Sequence, residues 1–187
     1  MPLTLKAEDM HVIKWWVDAS YATHVDMKSQ TGAYMTLGRG AIISMSSKQK
    51  LNTRSSTETE VVAVDDALGH IMWTRHFLQL QGFNVSDNFV YQDNEAAILL
   101  ENNGRRSSTR RTKHMNVRYF FVRDKIQNND ITVEHCSTNE MIGDFFTKPL
   151  QGKQFYKFRK SIMNLDEEKG DYASKPLDFP NTKENMV

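Results

Sequence analysis

The sequence predicts one mixed α/β domain: a five-stranded sheet flanked by helices, in the order β-β-β-α-β-α-α-β-α. Three observations predict it. Residues 11–19 (HVIKWWVDA) form a short apolar run of β-branched and aromatic residues. Residues 55–80 carry apolar positions at three- and four-residue steps. Short strand-like and helical segments then alternate to residue 163. The composition agrees: 187 residues, 39% apolar, 10% aromatic and 25% charged, which excludes a collagenous, disulfide-stapled or wholly disordered chain.

In order, residues 11–19 read as a buried strand, and a polar turn with Asp26, Ser29 and Gly32 follows. Residues 33–37 and 41–45 read as two strands joined by the glycine hairpin Gly38-Arg39-Gly40. Val61, Val64, Leu68, Ile71, Met72 and Leu78 mark one long amphipathic helix ended by Gly82. Residues 89–92 form a further strand and 95–100 a short helix. A helix over 114–126 places Val117, Phe120 and Phe121 on its apolar side. Residues 130–135 alternate like a strand, and helical patterns at 139–146 and 154–163 close the core. Residues 1–10 are a lead-in, 11–164 the domain, and 165–187 an acidic tail outside the core, with six acids, three lysines and two of the four prolines.

Lys+Arg 24 against Asp+Glu 23 gives a net charge of +1, but the distribution is uneven. Between residues 104 and 125 stand eight bases (Arg105, Arg106, Arg110, Arg111, Lys113, Arg118, Arg123, Lys125) and one acid, Asp124. Bases spaced along a loop and helix neutralise phosphates, and Ser107, Ser108 and Thr109 add hydroxyl donors; the bland reading is a solvated helix edge. The single cysteine, Cys136, makes no internal disulfide, which fits a reducing, intracellular setting. No apolar run reaches the ~18 residues of a membrane helix, and residues 1–10 lack a secretory pattern.

Four carboxylates stand out by position. Asp18 ends the first strand, Glu60 lies in the first turns of the long helix, Asp93 ends the fourth strand, and Asp144 falls in the penultimate helix. Ligand sites of open α/β sheets gather beyond the carboxyl ends of strands, so Asp18 and Asp93 approach one another there. Clustered carboxylates repel unless a cation neutralises them. Oxygen-only donors suit Mg²⁺ or Mn²⁺, and two such ions ~3.5–4 Å apart serve in-line attack on a phosphodiester. Against this, an Asp at a strand end is commonly a turn or cap residue. The helix start leaves two readings: with Ser55 as N-cap, Glu58 caps and Glu60 is free; with Thr57, Glu60 is structural. We prefer the first.

Other features carry less. Asp65-Asp66 resembles the paired aspartates of polymerases only superficially, because it falls inside a helical pattern and reads as a solvated face. His70 and His76 fit a helix surface, and no histidine pairs with another at metal spacing. His114 and His135 remain possible substrate-side groups with a structural role preferred. Cys136 has no Cys-x-x-Cys partner.

Five blocks in order, VDASYATHVDMKSQTGAYMTLG (17–38), SSKQK with SSTETEVVA (within 46–63), QDNEAAI (92–98), RTKHMNVRYFFVRDKI (111–126) and IGDFFTKPL (142–150), resemble the ribonuclease H domain at the C-terminal end of copia-type LTR-retrotransposon Pol polyproteins, over about residues 11–164. The resemblance implies an RNase H-like fold. It also implies metal-dependent hydrolysis of the RNA strand of RNA–DNA hybrids during reverse transcription, with two Mg²⁺ (Mn²⁺ also fitting). Carried over by motif, its catalytic and metal-binding set is Asp18 in VDAS, Glu60 in TETEVVA, Asp93 in QDNEAA and Asp144 in IGDFFTKPL. Asp18 would bridge both ions, with Glu60 and Asp93 on one and Asp144 on the other. Arg105, Arg106, Arg110, Arg111, Lys113 and Arg118 are the expected nucleic-acid contacts. The implied partners are the hybrid and the upstream reverse transcriptase of the same polyprotein, with no membrane; the implied setting is cytoplasmic, within a virus-like particle if the element is active.

There are departures. Cellular ribonucleases H use a loop histidine before the last aspartate, whereas His135 sits at a strand end, so that role is not carried over. The chain holds no polymerase aspartate hairpin, integrase or protease block, which makes it a fragment, a separate C-terminal piece or a remnant. Exonucleases needing Asp-x-Glu on the first strand are disfavoured by Asp18-Ala19-Ser20, and integrase order (Asp, Asp, Glu) by Glu60 standing second. A catalytically silent module that only binds nucleic acid or protein remains the alternative.

Overall fold

The structure, a computed structural model, describes residues 2–103 and 113–165, with side chains left aside at 103 and 113–117. A five-stranded sheet runs in the order β5-β3-β2-β6-β7, built from β2 (Val12–Ser20), β3 (Gln30–Thr36), β5 (Ile43–Lys48), β6 (Asp87–Gln92) and β7 (Thr132–His135). β2 pairs antiparallel with β3 and parallel with β6, and β6 pairs parallel with β7. The mixed sheet agrees with the sequence reading.

The long central strand alternates as its sequence demands. Ile13, Trp15, Val17 and Ala19 join the main core with Ala33 and Met35 of β3 and with Ala63, Val64, Ala67, Leu68 and Ile71 of α1 (Ser56–Leu80). On the other side, Trp16 and Tyr34 pack with Phe158 and Ile162 of α4 (Gly152–Met163) and with Phe145, Phe146 and Leu150. α2 (Glu95–Asn103) and α3 (Lys113–Gln127) flank α1.

The ends of α1 are set by local chemistry. Ser55 is the N-cap, its Oγ accepting from Glu58 N at 3.2 Å, while Glu58 Oε2 accepts from Arg54 N at 2.8 Å. At the far end Gly82 takes φ +90, with Gly82 N donating to Gln79 O and Phe83 N to Leu78 O, a Schellman closure.

Three expectations are corrected. Gly38-Arg39-Gly40 is more than a hairpin tip. β4 (Gly38–Arg39) pairs antiparallel with β1 (Lys6–Ala7), and a Cβ on Gly40, at φ +80, would stand 2.5 Å from Thr4 O. Residues 139–146 do not form an α-helix but two 3-10 turns, Thr138–Glu140 and Ile142–Phe146. The packed side of α3 is Tyr119, Val122 and Ile126; Phe120 and Phe121 are 57% and 52% exposed. Part of the Phe121 ring is covered by the Lys125 ammonium, 5.8 Å from its centroid. The tail beyond residue 165 lies outside the described residues.

Candidate active site

Register places the first two carboxylates. In the parallel pair β2–β6, Trp16 stands beside Tyr91. Two residues further along each strand bring Asp18 and Asp93 together at the carboxyl edge of the sheet. With Ser55 as cap, Glu60 falls one turn into α1, facing the same edge, near the backbone of Ala19. One oxygen each from Asp18, Glu60 and Asp93 lies within 4.8 Å of the others. Thr138, on the first 3-10 turn, donates to Asp93 Oδ2 at 3.0 Å and fixes that carboxylate.

Asp144 is carried by the second 3-10 turn, Ile142–Phe146. Its 3-10 turn lies against β2 and β3 because two glycines admit it. A Cβ on Gly143 would sit 2.8 Å from Asp18 Cβ, and one on Gly32 2.8 Å from Gly143 O and 2.6 Å from Thr147 Cγ2. Asp18 pairs with Gly32 across β2–β3, so the glycine opposite it makes room for the segment that brings Asp144 in. The same segment supplies one hydrogen-bond donor and one ion-pair partner to Asp18. Thr147 Oγ1 donates to Asp18 Oδ2, and Lys148 Nζ lies 3.5 Å from Asp18 Oδ1 and 2.6 Å from Asp144 Oδ1.

This centre is poor in compensation. Asp18 is 1% exposed, and Glu60 and Asp144 are buried. Asp18 Oδ1 and Glu60 Oε2 accept no hydrogen bond among the described residues, which is costly for buried carboxylate oxygens. Burial pushes the Asp18 carboxyl up to about 7; the pull of Lys148 and Thr147 opposes that rise, and Asp144 and Asp93 add to it. Burial, then the charges of Asp18 and Asp93, raises Glu60 well above the carboxylate range. Burial disfavours the charged form of Lys148, yet Asp18 and Asp144 outweigh it and its pKa rises. Cys136, beside the cluster, is pushed up to about 11 by burial and then by Asp93, Glu140 and Asp144, so it stays a thiol.

The expected nucleic-acid contacts fall differently. Arg105, Arg106, Arg110 and Arg111 lie outside the described residues, as does the side chain of Lys113. Arg118 faces inward, its Nη1 2.6 Å from Asp65 Oδ2 and 3.1 Å from Asp66 Oδ1. Asp65-Asp66 is therefore not a solvated helix face but half of a partly buried ion-pair cluster joining α1 to α3. Sequence reasoning passed over Thr138, Thr147 and Lys148. The Asp144 to Lys148 spacing of four was the available signal, although no sequence spacing links Lys148 to Asp18.

Similar sequences lie within known polyproteins. The chain is 34% identical to the retrovirus-related Pol polyprotein from transposon TNT 1-94 of Nicotiana tabacum over 145 residues, 77% of the chain and 11% of that polyprotein. It is 34% identical to the Pol polyprotein from transposon RE2 of Arabidopsis thaliana over 147 residues, 78% of the chain and 10% of the relative. Its homologues are retrotransposon Pol polyproteins. The chain spans about a tenth of the length of these curated relatives. No family model matches it. Among solved structures, LC11-RNase H1, isolated from compost by a metagenomic approach, superposes with a TM-score of 0.53 at 13% identity, covering 73% of this chain and 93% of that one. The fold is RNase H-like, and the acidic centre lies at the carboxyl edge of its sheet.

Proposed function

We propose that this RNase H-like domain is a metal-dependent endonuclease that hydrolyses the RNA strand of RNA–DNA hybrids during retrotransposon reverse transcription. The convergence of Asp18, Glu60 and Asp93 carries this reading, with Glu60 Oε2 buried without a hydrogen-bond partner among the described residues and Asp18 Oδ1 faced only by the Lys148 ammonium at 3.5 Å. A purely structural cluster would satisfy such buried oxygens with hydrogen-bond donors. The donor set fits the implied ion: all ligands are carboxylate oxygens, the chemistry of Mg²⁺ or Mn²⁺. Asp18, Glu60 and Asp93 would hold one ion and Asp18 with Asp144 a second. When bound, such ions activate a water and stabilise charge on the leaving oxygen.

The chain's own residues set the geometry. Thr138 holds Asp93 and Thr147 holds Asp18. The hybrid would be gripped through its phosphates by Arg105, Arg106, Arg110, Arg111 and Lys113, with shape and 2′-hydroxyl contacts in place of base readout. Arg118, committed to Asp65 and Asp66, fits that role less well. Much of the remaining grip would come from the upstream reverse transcriptase of the same polyprotein, in the cytoplasm or a virus-like particle. Among the described residues, no helix is long and apolar enough to cross a membrane.

The test is cleavage of a labelled RNA–DNA hybrid with Mg²⁺, comparing wild type with Asp93→Asn. Cleavage by the wild type and none by the variant supports the proposal. Equal cleavage by both refutes it, and hybrid binding without any cleavage favours the silent module. Replacing Arg110, Arg111 and Lys113 by Ala should lower the salt slope of hybrid binding by roughly one unit for each phosphate no longer neutralised.

A further inference from the structure

We infer that Gln92 and Glu101, two side chains buried outside the acidic centre, are a positioning pair for it. Glu101 holds the Gln92 amide in the one orientation that ties the end of β6, and so Asp93, to the backbone of Glu60 in α1. This rests on the reading of the centre as a metal site and names what sets the spacing of two of its three converging carboxylates.

Both side chains are fully buried, at 0% exposure. Gln92 is the last residue of β6 and directly precedes Asp93. Glu101 stands near the end of α2, which packs on the first turns of α1 through Ala97 with Val61 and Val62. One terminal atom of the Gln92 amide lies 3.0 Å from Glu101 Oε2 and 3.3 Å from Oε1. The other lies 3.4 Å from Glu60 O. A single side chain on a strand end thus reaches two helices. The Gln92 backbone is held as well, its carbonyl accepting from Cys136 N at 2.8 Å.

The place of one proton selects the orientation. An ionised Glu101 only accepts, so the amide nitrogen would have to face it. The amide oxygen would then stand against Glu60 O, acceptor to acceptor. With Glu101 as the neutral acid, both contacts become hydrogen bonds. Its O–H donates to Gln92 Oε1, and Gln92 Nε2 donates to Glu60 O. The surroundings favour that form, since a lone buried carboxylate is costly and an acid in an apolar site stays neutral and donates. Among the described residues burial is the one influence on the Glu101 carboxyl, and it pushes it well above the usual carboxylate range.

The pair acts through what it joins. Asp93 lies one peptide from Gln92, and Glu60 supplies the accepting carbonyl. The spacing of β6 and α1 is therefore fixed where Asp18, Glu60 and Asp93 bring their oxygens within 4.8 Å of one another. Partners that orient metal ligands in this way typically govern metal affinity or activity by about 10–100-fold.

The experiment compares wild type, Gln92→Leu, Glu101→Met and Glu101→Gln in Mn²⁺ binding, followed by electron paramagnetic resonance, and in hybrid cleavage with Mg²⁺. Gln92→Leu removes both hydrogen bonds. It should weaken Mn²⁺ binding and lower kcat, each by about tenfold or more, with KM for the hybrid unchanged. Glu101→Met, which takes away the donor, should follow it. Glu101→Gln, whose amide still donates, should recover most of that loss. Infrared difference spectra of wild type against Glu101→Gln at pH 8 should show a protonated-carboxyl band that belongs to Glu101. Wild-type Mn²⁺ binding and kcat in Gln92→Leu, whatever its melting temperature, would make the pair merely structural and overturn the inference. So would a Glu101→Gln variant no better than Glu101→Met, or the absence of that band. A wild type that binds no Mn²⁺ would instead overturn the metal-site reading itself. Should Gln92→Leu fail to fold, Gln92→Asn, a methylene too short to span both contacts, takes its place with the same expected outcomes.

Discussion

Replacing Asp18 by Asn should abolish cleavage and, without divalent ions, make the protein more stable. In the folded chain the Asp18 carboxyl is raised from 3.8 to about 7, chiefly by burial. At about 1.4 kcal/mol per pH unit, that span corresponds to roughly 4 kcal/mol of destabilisation once the group is charged in both states. The sign follows from the direction. An acid raised on folding costs nothing below its unfolded pKa, costs progressively more between about pH 4 and 7, and a constant amount above. Asn keeps an acceptor for Thr147 but leaves a buried NH₂ to satisfy, at about 1–2 kcal/mol. The expected net gain is therefore about 2–3 kcal/mol at pH 8, or roughly 4–12 °C in Tm for a domain of this size. It should vanish near pH 5. Urea unfolding in EDTA at both pH values measures it, and added Mg²⁺ should narrow the gap by neutralising Asp18 in the wild type alone. An Asp18→Asn variant less stable than wild type at pH 8 in EDTA would refute the reasoning, because the carboxylate would then be a net stabiliser.

Gly143→Ala should cost about 1–3 kcal/mol by overpacking and lower cleavage by roughly 10²-fold as the Asp144 turn lifts. Thermal melts and hybrid hydrolysis check it, the new Cβ meeting Asp18 Cβ at 2.8 Å. Gly69→Ala is the contrast: nothing lies within 4 Å of its Cβ on α1, and melts should show a gain of up to about 1 kcal/mol from helix propensity. Arg118→Ala should destabilise by about 1–3 kcal/mol, by leaving Asp65 and Asp66 unpaired. It should leave the salt slope of hybrid binding unchanged; a slope lower by one unit would return Arg118 to the phosphate-contacting set.

Local chemistry was legible wherever it acts within one turn or one strand. The apolar run of residues 11–19 marks β2, and Ser55 with Glu58 marks the start of α1 and so frees Glu60. What stayed hidden depends on partners far along the chain. Gly38–Arg39 could not reveal that Lys6–Ala7 would pair with it. The apolar positions of 139–146 are too few to separate a 3-10 turn from an α-helix. In α3 the aromatic residues drew the apolar side to Phe120 and Phe121, one step out of phase with Tyr119 and Val122, because three consecutive aromatics leave the phase undetermined. The four carboxylates could be named from position and resemblance. Their division into three and one, with Lys148 between, is a property of the folded chain, since Thr147 and Asp18 lie 129 residues apart.

The pairing of Lys6–Ala7 with Gly38–Arg39 has a topological consequence. It carries the incoming chain across to α4, where Thr4 N donates to Met163 O at 3.3 Å. The polypeptide thus enters and leaves the domain at a single point, like a loop drawn closed at its neck. A longer chain can carry such a unit without spreading its flanks, and a short linker between residues 4 and 163, with new ends opened in a surface loop, should yield a circular permutant with the acidic centre intact.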